Sequence, residues 1–523
     1  MPALLTLDAL SAASPDGTPL FQGLTLALGA ETVGLVGRNG SGKSTLLAIL
    51  AGAREPAAGL VSRAGKVAML RQIQPDAGSV AEALGVADDL ARLARLEAGE
   101  GSAEDAGFAD WTLETRLDEA LAKVRLPVSL DRDVATLSGG ERTRLGLAAM
   151  LLAEPDVLLM DEPTNNLDAE GRATVADLLA GWSGGAIVAS HDRELLEDVD
   201  RIVQLSPVGV SSYGGGWSDF VAARDALRER AEADLDRAAR DLKRQSHAIQ
   251  RQHERKARRD KAGRAKAAKG DLPRILLGAM AERAQNSGAR DHLLGREQMA
   301  AAEESLDDAR RRVEIVTPLR IELPPARLPA NRTLLRFEDV VAERGDRRLF
   351  GPLSFDITGP ERVAVSGANG SGKTTLLRLA LGLEQPEAGK VVRAHGALAM
   401  LDQHAALLDP TLDLVSNLRV HHPDLTGGQA HEILARFAFR NRDALRPVST
   451  LSGGERLRAG LAIVTASPAP PQMLVLDEPT NHLDIDAVEM LEAALAAYDG
   501  ALLLVSHDRR FLDAVGITRE IEL

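Results

Sequence analysis

GRNGSGKS, residues 37–44, lies between a strand-like apolar run, TVGLV (32–36), and a helical run, TLLAIL (45–50). Strand, glycine loop and helix in that order are the context in which this pattern cradles phosphates. Glycines let backbone N–H groups come close, and the helix N-terminus adds a favourable dipole. The expected phosphate contacts are therefore Gly37, Asn39, Gly40, Ser41, Gly42, Lys43, Ser44 and Thr45. Lys43 is expected to reach the β- and γ-phosphates, and Ser44 to coordinate Mg²⁺. RVAVSGANGSGKTTLLRLA (362–380) writes the element a second time. It supplies Gly367, Asn369, Gly370, Ser371, Gly372, Lys373, Thr374 and Thr375, with Lys373 and Thr374 in the roles of Lys43 and Ser44.

Working outward from the two loops, the whole module repeats. LSGGE at 137–141 returns at 451–455, MDEPTNNLD at 160–168 returns as LDEPTNHLD at 476–484, and SHD closes each copy at 190–192 and 506–508. From P-loop lysine to LSGGE serine is 95 residues in the first copy and 79 in the second, whereas glutamate to histidine is 29 in both. The first copy thus carries 16 extra residues. They fall within about 85–112, a stretch that reads as a short helical excursion with a Gly-rich bend.

VLLMDE and MLVLDE are buried-strand patterns ending in two acids, at the sheet edge where open α/β sheets bind ligands. Asp161 and Asp477 are expected on Mg²⁺, and Glu162 and Glu478 are placed to polarise the attacking water. His191 and His507, each after an apolar strand, are expected to hold that water and the γ-phosphate. Gln72 and Gln403, in MLRQ and MLDQ, sit where a metal- and water-contacting glutamine belongs.

The 523 residues suggest two to four domains, and 45% hydrophobic with 26% charged residues is the balance of a soluble globular chain. No apolar run approaches the ~18 residues of a membrane span, and the opening MPALLTLDAL lacks a signal peptide's basic start and long apolar run. A cytoplasmic protein is expected. The absence of cysteine excludes disulfides and Cys-based zinc or iron–sulfur sites.

The net charge of −14 is unevenly spread. Residues 240–269 hold 12 Lys/Arg against three acids, or +9, leaving −23 for the remainder. That segment lies in a stretch without aromatics from Val221 to Arg336. On one arm Leu235, Leu242 and Ile249 recur every seven residues, with Ala231 and Ala238 interleaved. On the other Met299, Ala302, Leu306, Ala309, Val313 and Val316 step by three and four. These are coiled-coil seams, and Gly263, Gly270, Pro273 and Gly278 break the helices between them. The expected form is an antiparallel helical hairpin with a basic tip. Arg251, Arg255, Lys256, Arg258, Arg259, Lys261, Arg264, Lys266 and Lys269 are its candidate nucleic-acid contacts. Without aromatics they favour phosphate contact over base stacking, and structured RNA fits best.

P-loop, LSGGE, DEPT and SHD in this order resemble the ATP-binding cassette superfamily over some 410 residues. Two fused cassettes, no membrane domain and a linker of about 100 residues resemble its ABC-F family. SSYGGGWSDFVAAR (211–224) is similar to that family's first-domain ending. The resemblance implies an α/β fold of two P-loop nucleotide-binding domains in tandem, 1–221 and 332–523, joined by an α-helical hairpin linker, 222–331. It implies an ATPase using ATP and Mg²⁺, with each site completed by the other cassette. Ser138, Gly139, Gly140 and Glu141 would cap the ATP on Lys373, and Ser452, Gly453, Gly454 and Glu455 that on Lys43. Asn166/Asp168 and His482/Asp484 would couple the two sites. It further implies a monomer whose linker enters the ribosome toward tRNA, to modulate translation or to relieve stalling or an antibiotic block. An ATPase acting on DNA and the ATPase subunit of a transporter are the alternatives. The chain departs from the pattern where an aromatic usually stacks on adenine. Phe21 and Phe350 fall too close to the P-loops and read as core, and Arg344 is left to cover the second base by cation–π contact, so GTP use stays open.

Overall fold

The computed structural model describes residues 3–15, 17–70, 77–165, 167–206, 209–267, 296–313, 321–345, 347–395, 397–401, 407–467, 469–481 and 483–523. The chain forms two compact units, residues 1–220 with 319–523, and residues 221–318.

The first unit holds two copies of one architecture. In the first copy the strands Val67–Leu70, Val157–Asp161, Gly185–Ala189, Thr32–Gly37, Arg201–Ser206 and Gly209–Gly214 lie side by side in that order. All pair in parallel except the last two. VLLMD and GAIVA are buried along their whole length, as expected of strands covered on both faces. The second copy aligns Leu398–Leu401, Met473–Asp477, Ala501–Val505, Arg362–Ser366 and Arg519–Glu522, all parallel. In both copies this order brings the P-loop, the strand ending in two acids and the strand ending in Ser-His to one edge of the sheet.

A three-stranded antiparallel sheet completes each copy: Pro19–Leu28, Leu5–Ala13 and Ala58–Arg63 in the first, Arg347–Thr358, Thr333–Arg344 and Ala388–Arg393 in the second. The helix after each P-loop joins the two sheets into one core. Leu46, Leu47, Ile49 and Leu50 of Lys43–Leu50 pack with Leu5, Leu7, Val33 and Leu159. Leu376, Leu377 and Leu379 of Lys373–Leu381 repeat this with Leu335, Phe337 and Val363. The opposite sheet face is covered by helices, including Gly139–Leu152 on Leu158 and Met160, and Gly453–Thr465 on Leu474 and Leu476.

Among the described residues, helices Ala87–Glu97 and Ala103–Phe108 have no counterpart in the second copy, where Leu414–His421 leads directly to Gly427–Arg436. Leu93 buries itself in the core, Gly99 turns the chain at φ 76°, and Ser102 caps the second helix. Asp105 closes that cap and pairs with Arg95 at 2.5 Å.

The helix Trp217–Ala267 starts in the first unit and continues into the second. Along it Ala231, Leu235, Ala238, Leu242 and Ile249 are half-buried among exposed neighbours. Within helical residues 296–313, Ala302, Leu306 and Ala309 are buried at three- and four-residue spacing. These are the positions the two seams named. Gly263, expected to break a helix, lies within Trp217–Ala267, while Val316, Lys269, Gly270, Pro273 and Gly278 lie outside the described residues. Among the described residues, no helix is long and apolar enough to cross a membrane.

Candidate active site

Each P-loop glycine that precedes the lysine caps the following helix in the left-handed region, Gly42 at φ 99° and Gly372 at φ 104°. A side chain at Gly42 would also stand about 3 Å from Leu20 and Phe21. Phe21 and Phe350 are buried beneath these loops, so they support the phosphate cradle rather than a base, as their position in the chain suggested. Arg344 is exposed, in register with Arg347.

Lys43 folds its ammonium onto the loop, donating to the Gly37 carbonyl at 2.7 Å, and Lys373 does the same to Gly367 at 2.7 Å. Both lysines are buried. Burial lowers their pKa values, opposed by the carboxylates of Glu162 and Glu478 respectively. The buried Ser41 and Ser371 hydroxyls have no hydrogen-bond partner. A helix N-terminus, a buried ammonium and an uncommitted hydroxyl are the donors a polyphosphate requires.

Glu162 and Glu478 follow the strand ends in a conformation that sequence cannot reveal, with φ 50° and 45°. A non-glycine residue there carries backbone strain of order 1–3 kcal/mol, which persists where the surroundings fix it. Here the fixing bonds are from the Glu162 N–H to Ala189 O at 2.8 Å and from the Glu478 N–H to Val505 O at 2.9 Å. Burial pushes the Glu162 carboxyl up to about 8 against the pull of Lys43, and that of Glu478 up to about 7 against Lys373 and Arg172. The Nε2 atoms of His191 and His507 each lie 3.3 Å from the glutamate Oε1 of their own copy. Burial holds His191 well below the ordinary imidazole range and lowers His507 to about 4, so both rings are neutral at pH 7.

Asp161 is buried at the sheet edge. Among the described residues no cluster of three or more His, Asp or Glu is able to hold a metal alone. One carboxylate and one P-loop hydroxyl per copy, Asp161 with Ser44 and Asp477 with Thr374, suit Mg²⁺, which keeps water and phosphate oxygens as its remaining ligands.

Ser138 and Ser452 cap the helices Gly139–Leu152 and Gly453–Thr465 through full capping boxes with Glu141 and Glu455. The glutamates pair further with Arg132 at 3.1 Å and Arg446 at 2.7 Å. Each serine oxygen accepts a backbone N–H, which leaves its own proton available to a ligand oxygen. Glu141 and Glu455 thus hold the loop's shape, and the backbone with the serine faces outward.

The two copies meet through charged groups. The Asn39 N–H of the first P-loop donates to Asp484 at 3.0 Å, and Arg38 pairs with Asp486 at 2.8 Å. Asp168 in turn acts on Lys373. Arg193 pairs with Glu492 at 2.6 Å, and Arg510 with Glu197. Arg193 also lies over the Trp217 ring, 6.0 Å from its centre. Arg38, Arg172, Arg193 and Arg510 are not singled out by the sequence reading; closeness to the P-loop, DEPT and SHD blocks is the signal that could have found them. Gln72, Gln403, Asn166 and His482 lie outside the described residues. Of the nucleic-acid candidates, Arg251, Arg255, Arg258 and Lys261 are exposed on the long helix. Lys256, Arg259, Arg264 and Lys266 are on it too, with side chains outside what is described, and Lys269 is outside altogether.

The family model described as ABC transporter matches residues 22–165 and 350–481. The chain is 31% identical to the energy-dependent translational throttle protein EttA of Mycobacterium tuberculosis, over 92% of this chain and 84% of that one. It is 32% identical to the tylosin resistance ATP-binding protein TlrC of Streptomyces fradiae, over 97% and 95%. Among solved structures, the archaeal ribosome recycling factor aABCE1, in complex with the ribosomal stalk protein aP1, shares the fold. Its TM-score is 0.60 at 20% identity, over 98% of this chain and 87% of that one.

Proposed function

This chain belongs to the ABC transporter family of ATPases, in its ABC-F branch, and from that premise we propose that its ATP-bound form docks the basic linker on ribosomal and transfer RNA to adjust translation. The proposed domains are the two cassettes, 1–221 and 332–523, and the hairpin 222–331 between them.

The chemistry follows from the residues. P-loop N–H groups with Lys43 and Lys373 bind and orient the β- and γ-phosphates. Mg²⁺, held by Asp161 with Ser44 and by Asp477 with Thr374, would neutralise charge on the phosphate oxygens, joined by Gln72 and Gln403. Glu162 and Glu478 each accept a hydrogen bond from the attacking water, and neutral His191 and His507 donate to the γ-phosphate. Ser138–Glu141 and Ser452–Glu455 close the opposite site with helix N-termini, which puts both ATP molecules between the cassettes.

The observation that carries the ribosomal reading is the charge asymmetry. A +9 segment on a body of −23 starts on the helix Trp217–Ala267, where Arg251, Arg255, Arg258 and Lys261 are exposed. That favours a polyanion held by its backbone. The similarity to a translational throttle protein and to a tylosin resistance protein supports the same direction. The test is co-sedimentation of the Glu162→Gln/Glu478→Gln variant with ribosomes in ATP. ATP-dependent pelleting is expected, and its loss when Arg251, Arg255, Arg258 and Lys261 become glutamate. No pelleting, with hydrolysis by the wild-type chain stimulated instead by duplex DNA, would replace the reading with an ATPase acting on DNA.

A further inference from the structure

Three of the ion pairs that join the two copies are Arg38–Asp486 at 2.8 Å, Arg193–Glu492 at 2.6 Å and Arg510–Glu197. From Glu162 and Glu478 onward the copies run at a constant offset of 316 residues, and the P-loops at 330. At these offsets each pair has a mate that cannot form. Arg38 and Asp486 match Ala368 and Glu170, and Arg193 and Glu492 match Arg509 and Ala176. Arg510 and Glu197 match Glu194 and Asp513, two acids. Alanine brings no charge and like charges repel, so the near-twofold relation of the copies is broken in their ion pairs.

The first two pairs close on the first site. Its P-loop carries Arg38, and Arg193 stands two residues after His191, whose Nε2 is 3.3 Å from Glu162. Both arginines are bound to one helix of the second copy, Ile485–Ala497. Asp486 lies in its first turn and Glu492 about 9 Å further along the axis. Asp484, which caps this helix, also accepts the Asn39 N–H at 3.0 Å. The helix is thus strapped to the first site at two separate points. Its counterpart in the first copy, Ala169–Ala180, keeps the cap as Asp168 and the acid as Glu170. Ala368, however, offers that acid no cation, and Ala176 offers Arg509 no carboxylate. The straps differ physically. Arg193 and Glu492 are 9% and 12% exposed, so breaking them apart strands a charge away from water. Arg38 and Asp486 are 52% and 36% exposed, so salt screens them.

We propose that these one-sided straps make the two ATP sites unequal in how long they keep nucleotide. The first site, built on Lys43, Glu162 and His191, stays shut and retains its ATP, while the second, built on Lys373, Glu478 and His507, opens and exchanges. Arg38 and Arg193 are positioning residues that act through the helix Ile485–Ala497. The inequality rests on ATP being held between the copies and needs no ribosomal partner.

The test follows release of N-methylanthraniloyl-ATP from the full chain in the Glu162→Gln/Glu478→Gln background, chased with excess ATP. Two phases at least about tenfold apart are expected. Lys43→Ala removes the slow phase and Lys373→Ala the fast one. Arg193→Ala speeds the slow phase at least about thirtyfold and the fast phase less than about threefold. Arg38→Ala speeds the slow phase about threefold at low salt and has little effect in about 0.5 M KCl, where the pair is screened. Arg38→Asp with Asp486→Arg restores slow release. Ala368→Arg with Ala176→Glu supplies Glu170 and Arg509 with their missing partners and slows the fast phase. If Arg193→Ala fails to fold, the Arg38 swap and this transplant decide. A single phase, a slow phase that survives Lys43→Ala, equal acceleration of both phases by Arg193→Ala, or a transplant without effect overturns the proposal.

Discussion

Arg193→Ala offers the sharpest measure of how the cassettes hold each other. Arg193 and Glu492 meet at 2.6 Å with side chains 9% and 12% exposed, so this is a buried pair between two parts of the chain 299 residues apart. Removing one partner of such a pair costs about 3–5 kcal/mol, because the other charge is left buried and alone. Burial already raises the Glu492 carboxyl above its ordinary range while Arg193 holds it down. Without the arginine it takes up a proton more readily, which softens the loss. The expected cost is thus the lower figure, about 3 kcal/mol, or about 150-fold in the pairing equilibrium of the cassettes. The chain has no cysteine, so single cysteines at exposed Leu60 and Leu383 report that equilibrium by energy transfer between attached dyes. The measurement is an ATP titration in the Glu162→Gln/Glu478→Gln background. Arg193 also contacts Trp217, so Glu492→Ala and the double variant complete a cycle that isolates the ion pair. A coupling energy above about 1.5 kcal/mol is expected, and one below about 0.5 kcal/mol would refute the assignment of this pair as a latch.

Gly42→Ala places a side chain at φ 99° and against Phe21, so nucleotide binding at the first site falls while Lys373 still binds; equilibrium binding in the two single-site backgrounds checks this. Ser138→Ala removes an N-cap worth about 1 kcal/mol, and calorimetry should show melting lowered by about 2–4 °C. The same variant should slow turnover at the site of Glu478 more than at that of Glu162. Replacing Arg251, Arg255, Arg258 and Lys261 with glutamine should weaken ribosome binding and flatten its salt dependence by up to about three in the logarithmic slope, at roughly 0.7 per lost phosphate contact.

Much of the site was legible because its parts are local. A P-loop, two acids closing a buried strand and a histidine after the next strand each carry their own pattern, and the parallel sheet brings their ends together. The 16-residue excess likewise points to the region where helices Ala87–Glu97 and Ala103–Phe108 stand. What stayed hidden depends on distance in the chain or on backbone shape. The strained φ of Glu162 and Glu478 leaves no trace in residue type, since glutamate is a poor choice for that conformation. The pairs Arg193–Glu492 and Arg510–Glu197 join segments about 300 residues apart, and ordinary arginines and glutamates announce no partner.

Trp217 is the first residue of a 51-residue helix, and Arg193, which latches onto Glu492, lies over its ring. At 1.5 Å per residue that helix is a rod of about 76 Å. A tilt of about 5° at its root sweeps the far end through roughly 7 Å, more than one helical turn.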